Sequence, residues 1–187
     1  MTTETQQDLI GVIVADHRAI QAAFEELQSG TGEPRRRRDL ADHVITELVR
    51  HLVGEEQYLY PVAREALRDS EQIVDHDLDE HAEAERLMKQ LEGLDATSPE
   101  FEELVEKLVT DVSHHMREEE RDLLPRLQEA CDHEELVELG EKFERARRMA
   151  PTRPHPAVPD KPPANKLLAP GAGLIDRLRD ALSDRSS

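Results

Sequence analysis

An all-α fold is predicted for this chain: an up-down-up-down four-helix bundle of two duplicated hairpins related by a pseudo-twofold axis, with short C-terminal helices beyond it. Three observations carry the prediction. Apolar residues recur at spacings of three and four through four long stretches with short breakers between them. Aromatics make up only 3% of the 187 residues, with no Trp and 8 Gly against 35% charged residues, which suits helices better than a β-sandwich or barrel. The second and fourth stretches also match each other at a constant offset of 64 residues.

The first stretch places Leu9, Val12, Ile13, Ile20, Phe24 and Leu27 on one helical face. Ser29 to Pro34 breaks it, and Leu40, Val44, Leu48, Leu52 and Leu59 form the second. The run Arg35 to Arg38 falls where that helix starts, a position whose dipole disfavours cations, and is expected to be a solvated loop or frayed turn. Arg68-Asp69-Ser70 separates the second helix from a third carrying Ile73, Leu78, Leu87, Leu91 and Leu94. After Gly93 to Pro99, with Ser98 suited to an N-cap and Pro99 to the first helical position, come Phe101, Leu104, Leu108, Val112, Met116 and Leu123. Short loops between long helices make neighbours antiparallel. A fifth, shorter helix near 133–148 completes a body spanning 1–149. Residues 150–187 are expected to be a Pro-rich linker followed by a short amphipathic tail helix (Leu174 to Leu182), which docks on the body or on a partner protein.

Composition narrows the function. Lys plus Arg number 24 against 42 Asp plus Glu, a net charge of −18 that repels phosphate backbones, so no nucleic-acid partner is expected. The single Cys131 rules out an intrachain disulfide and a cysteine-built zinc site. The N-terminal stretch has neither the basic nor the apolar run of a signal peptide, and no stretch is long enough to span a membrane. A cytoplasmic protein with no membrane partner is the expectation. No Gly-x-Ser-x-Gly elbow, phosphate loop or dinucleotide fingerprint is present.

The histidines carry the chemistry. His51-Leu-Val-Gly-Glu-Glu-Gln-Tyr-Leu-Tyr-Pro61 and His115-Met-Arg-Glu-Glu-Glu-Arg-Asp-Leu-Leu-Pro125 share His, Glu, Glu, Leu and Pro. The same offset lays Asp16-His17 on Glu80-His81, Phe24 on Met88 and Leu27 on Leu91. His51 and Glu55 lie one turn apart on one helical face, as do His115 and Glu119, while His17 and His81 add one imidazole from each remaining helix. One His-x-x-x-Glu means little among 42 acids, but two copies at an offset that also relates His17 to His81 are hard to obtain by chance. Six buried polar groups left unpaired would only destabilise a bundle. Two half-sites follow, each with two imidazoles, and two carboxylates positioned to bridge a pair of metal ions. Imidazole with carboxylate favours iron, ahead of manganese and zinc.

These residues, His17, His51-x-x-x-Glu55, His81 and His115-x-x-x-Glu119, each His-x-x-x-Glu being followed by Leu-x-Pro, resemble the hemerythrin-like HHE cation-binding family over about residues 8–130. The resemblance implies a four-helix bundle holding two Fe ions, bridged by Glu55, Glu119 and an oxo or hydroxo group. Oxygen-carrying members have a further histidine four residues before the one resembling His81, where this chain has Asp77. They also place an aspartate five residues after the fourth-helix histidine, where it has Glu119 at four and Glu120 at five. A more open site of this kind suits oxygen, peroxide or nitric oxide binding and sensing better than reversible carriage. A peroxide-decomposing enzyme and a metal-responsive interaction module are the alternatives.

Of the residues nearby, Tyr58 falls seven after His51 and returns to the ligand face, either packing there or offering its phenol, as Asp122 does after His115. His76 lies about 140° round the helix from His81, outside the reach of a common metal. Glu56 and Glu120 face about 100° from the ligating glutamates, suited to surface ion pairs or to histidine N–H groups. His43, His114, His133 and His155 are left out of the site.

Overall fold

The computed structural model describes residues 7–30 and 32–155. The tail helix expected at Leu174 to Leu182, and most of the Pro-rich stretch before it, lie outside the described residues. Among those described the architecture is all-helical: α1 Leu9–Gln28, α2 Pro34–Gly54, α3 Tyr60–Ala66, α4 Ser70–Glu92, α5 Pro99–Glu118, α6 Leu124–Ala130 and α7 His133–Met149. Two five-residue π-helical turns, Glu55–Leu59 and Glu119–Leu123, join α2 to α3 and α5 to α6 without a break. The bundle therefore consists of α1, α2–α3, α4 and α5–α6, with α7 packed on its outside. None of these helices is long and apolar enough to cross a membrane.

The caps explain the starts. Asp8 accepts the Gly11 N–H at 2.8 Å, and Ser98 accepts the Phe101 N–H at 3.2 Å with Pro99 at the first helical position. The arginine run behaves differently from the expectation of a solvated turn. Arg38 donates to the Leu91 carbonyl at 2.6 Å and to Asp42 at 2.7 Å, while Arg37 clasps Glu102, and both guanidinium groups stack on the Phe101 ring at 5.4 Å. The carbonyls at the end of α4 and the aromatic face of α5 thus receive cations that the start of α2 disfavours.

The π turns have a local cause. Pro61 and Pro125 stand two residues after each turn; each lacks an N–H, and in an unbroken α-helix its ring would press on the carbonyl four residues back. Widening the preceding turn removes that clash. The bond that closes it runs from the Tyr60 N–H to the Glu55 carbonyl and from Leu124 to Glu119. Two apolar clusters fill the bundle. One, including Phe24, Leu27, Leu48, Phe101 and Met116, packs between the loops and the middle; the other, including Leu9, Ile13, Leu59, Leu124 and Phe143, packs the opposite end. Polar residues are buried between them. The body also continues past 149: Ala150, Pro151, Thr152 and Pro154 are buried, the Thr46 hydroxyl donates to the Thr152 carbonyl at 3.2 Å, and Arg153 pairs with Glu92 at 3.3 Å.

Candidate metal centre

Each of the four bundle helices delivers one histidine to the buried layer. His17 comes from α1, His51 from α2, His81 from α4 and His115 from α5, all at most 3% exposed. Glu55 and Glu119, the first residues of the two π turns, are equally buried. The six residues singled out by the repeat therefore meet at one level.

Their arrangement is that of a shared pair. Glu55 turns Oε1 toward His51 Nε2 at 3.0 Å and His17 Nε2 at 3.7 Å, and Oε2 toward His81 Nε2 at 3.3 Å. Glu119 turns Oε2 toward His17 Nε2 at 3.5 Å and Oε1 toward His115 Nε2 at 3.7 Å. Each carboxylate thus gives one oxygen to each pair of histidines. The pairs are alike, with edge-on rings 4.9 Å apart in both.

The outward nitrogens close a ring of contacts around the bundle. Asp16 on α1 faces His51 Nδ1 at 3.4 Å, and Glu56 beyond α2 meets His81 Nδ1 at 3.1 Å. Glu80 on α4 meets His115 Nδ1 at 2.9 Å, and Glu120 beyond α5 meets His17 Nδ1 at 2.9 Å. Each helix therefore orients the histidine of the next. Such carboxylates fix the ring so that Nε2 points inward, and they raise its basicity. Asp16 is itself held by Arg147 of α7, at 2.8 Å.

Two expectations change. Tyr58 does not return to the ligand face; it lies half-buried against the apolar cluster at the Phe143 end, and Asp122 is exposed and paired with Arg126. A π turn closes its hydrogen bond over five residues instead of four and so rotates the chain less per residue, and Tyr60, not Tyr58, reaches the buried layer. Its hydroxyl lies 2.8 Å from His81 Nε2 and donates to Glu119 Oε1 at 3.2 Å. Pro61 was the signal in the sequence that could have revealed this shift. Asp77, which replaces the carriers' extra histidine, is 5% exposed and forms a possible metal-holding group with Glu80 and His115.

Electrostatics follow from crowding carboxylates and imidazoles without water. Burial alone would lower the His17 and His81 pKa values, yet attraction to Glu119 and Glu55 for the first, and to Glu55 and Glu56 for the second, raises each to about 10. Burial opposes ionisation of Glu55, but His51, His17 and His81 outweigh it and hold the carboxyl well below its usual range. Burial, followed by the Glu119 and Glu55 charges, pushes the Tyr60 phenol well above its ordinary value. Burial, then Glu119, lifts Asp77 to about 7.

The donor set fits a pair of first-row metal ions. His17 Nε2, His51 Nε2, both Glu55 oxygens and Glu119 Oε2 are buried without a hydrogen-bond partner. Each such group costs about 1–3 kcal/mol unless something satisfies it. Imidazole with carboxylate is a ligand chemistry for iron, manganese or zinc rather than for magnesium or calcium.

Comparison with known proteins places this geometry. A solved structure, the Rv2633c homolog from Mycobacterium kansasii, a hemerythrin HHE cation-binding domain-containing protein, is 25% identical with a TM-score of 0.63, covering 76% of this chain and 88% of that one. An uncharacterized hemerythrin-like protein of Schizosaccharomyces pombe is 29% identical over 91% of this chain and 84% of its own length. A DNA nickase of Nostoc is 28% identical over 73% of this chain, which spans only 38% of that protein. The model of the hemerythrin HHE cation-binding domain matches residues 8–127, from the cap of α1 into α6, and so contains every histidine and carboxylate of the buried layer. This chain belongs to the hemerythrin HHE cation-binding domain family.

Proposed function

We propose that this chain is a non-haem di-iron protein that binds oxygen, peroxide or nitric oxide at a carboxylate-bridged centre held by His17, His51, Glu55, His81, His115 and Glu119. The observation that carries the reading is the division of Glu55 and Glu119, each with one oxygen toward each histidine pair. Iron held there supplies the redox chemistry toward small oxidants. The protein's own part is to orient and to exclude water. Glu120, Asp16, Glu56 and Glu80 aim the four rings, and Leu48, Leu52, Val112 and Met116 keep one side of the layer apolar. A cleft of about 390 Å³ between α4 and α5, lined by Leu52, Ala84 and Val112, reaches His81 and His115 and offers a small ligand its way in. DNA chemistry is not carried over from the nickase, since a net charge of −18 repels a phosphate backbone.

The test is elemental analysis of protein from iron-supplied cells, beside its visible spectrum before and after peroxide or nitric oxide. About two irons per chain and bands that respond to the ligand are expected. A single zinc, or no metal and no bands, overturns the reading.

One observation favours a peroxide-decomposing enzyme as the second reading. The Tyr60 hydroxyl holds a proton within hydrogen-bond reach of His81 Nε2 and Glu119, inside the layer, where reversible binding alone needs none. Catalytic loss of peroxide that is slowed in Tyr60→Phe selects this reading; stoichiometric consumption selects the first.

A further inference from the structure

The two halves of the centre are closed to different extents. On the first, α7 lies across α1 and the first π turn. Phe143 is fully buried with its ring 6.3 Å from that of His51, and a Cβ on Gly54 would stand 2.6 Å from Phe143 Cε2. Val12 and Ile13 belong to the same apolar wall. The 64-residue offset carries Val12, Ile13 and Gly54 onto His76, Asp77 and Glu118. Where α7 sits on the first half, the second has a cleft of about 510 Å³ lined by these three residues and by Glu119.

The cleft leads inward through ligand-type groups. His76 Nε2 stands 3.6 Å from Glu80 Oε1, and His76, Glu80 and Glu118 each offer a ligand atom within 4.8 Å of the others. Behind them, Asp77, Glu80 and His115 form a second such group. Glu80 belongs to both, since its other oxygen meets His115 Nδ1. Asp77 Oδ2 is buried without a hydrogen-bond partner in a wall of this cleft. Packing does not require a carboxylate there, because Ile13 fills the equivalent place. The cations nearby are peripheral: Arg121 is 76% exposed and pairs with Glu118 at 3.2 Å, and His114 faces Glu118 at 3.6 Å. The acids Glu80, Glu118, Glu119 and Asp122 leave a negative field that draws divalent cations.

We propose that His76, Glu80 and Glu118, with Asp77 behind them, form an outer divalent-cation site, a loading station through which iron(II) reaches the buried pair from the uncovered half. Imidazole with carboxylates suits iron(II). The site is separate from the six buried residues but rests on the reading that those residues hold metal.

The test follows iron(II) uptake without oxygen by the full metal-stripped chain, quenched at intervals with a chelator and scored as iron retained per chain. His76→Ala/Glu118→Gln is compared with wild type and with His43→Ala, and helical circular dichroism verifies folding. The double variant is expected to reach the wild-type iron content about tenfold or more slowly at low micromolar iron, with added salt slowing wild type more than the variant. His43→Ala is expected to load at the wild-type rate. Wild-type loading kinetics in the double variant overturn the outer site and leave the buried centre standing. Failure of wild type itself to retain iron overturns the buried centre and the loading station with it.

Discussion

The first-hairpin half of the centre, His17 and His51, has the apolar cluster of Ile13 and Phe143 beside it, whereas the second half, His81 and His115, has Asp77 and Tyr60 near it and two clefts leading to it. The inner donors are nevertheless of the same types on both sides, with equal ring separations and a carboxylate behind each ring. Ligation constrains the residues that point inward and leaves those around them free to diverge. A duplicated bundle therefore builds two similar cradles with unequal surroundings, one walled by apolar side chains and the other reached by two clefts.

The strongest way to break this comparison is to remove what the halves share. Glu55→Ala should empty both, taking retained iron from about two per chain to near none, while His43→Ala leaves it unchanged. If Glu55→Ala kept one tightly held iron, the carboxylate would serve a single half. Next in size is the seal. Gly54→Ala should cost about 1–3 kcal/mol in denaturant unfolding, because the new Cβ collides with Phe143, whereas Glu118→Ala at the equivalent open position should stay within about 0.5 kcal/mol. Equal costs would mean that α7 yields easily and closes nothing.

The carboxylate ring gives a test of equivalence. Glu56→Gln and Glu120→Gln, one behind each half, should each weaken metal retention against a chelator about 10–100-fold, and by similar factors. The smallest effect separates the halves again. Tyr60→Phe should cost about 1 kcal/mol of stability and alter the visible spectrum of the iron-loaded protein, while Tyr58→Phe leaves the spectrum as it was. A spectrum that responds to Tyr58 instead would remove Tyr60 from the centre.

Much of this was legible in the sequence because helices turn polar spacing into position. The offset that pairs His17 with His81 and Glu55 with Glu119 needs only a regular helix up to those residues, and up to there the helices are regular. Beyond Glu55 and Glu119 an ideal helix misleads. The π turns retard the chain's rotation, so counting seven from His51 leads to Tyr58 when Tyr60 is the residue that reaches His81 and Glu119. Glu56 and Glu120 face about 100° from the ligating glutamates in an ideal helix, which suits either surface ion pairs or histidine N–H groups; the structure shows each meeting a histidine of the neighbouring helix. The role of Phe143 was hidden for another reason. Its partner is Gly54, and a glycine in a helix announces neither an approach nor which side chain makes it.

Arg147 bears on the order in which the protein is made. All six buried ligand-type residues precede residue 120, but the helix that supplies Phe143 to the wall and Arg147 to Asp16 spans His133–Met149. A ribosome delivers every donor before it delivers the element that dries and steadies the first half. The six ligand-type residues can therefore meet before the wall that covers the first half is in place.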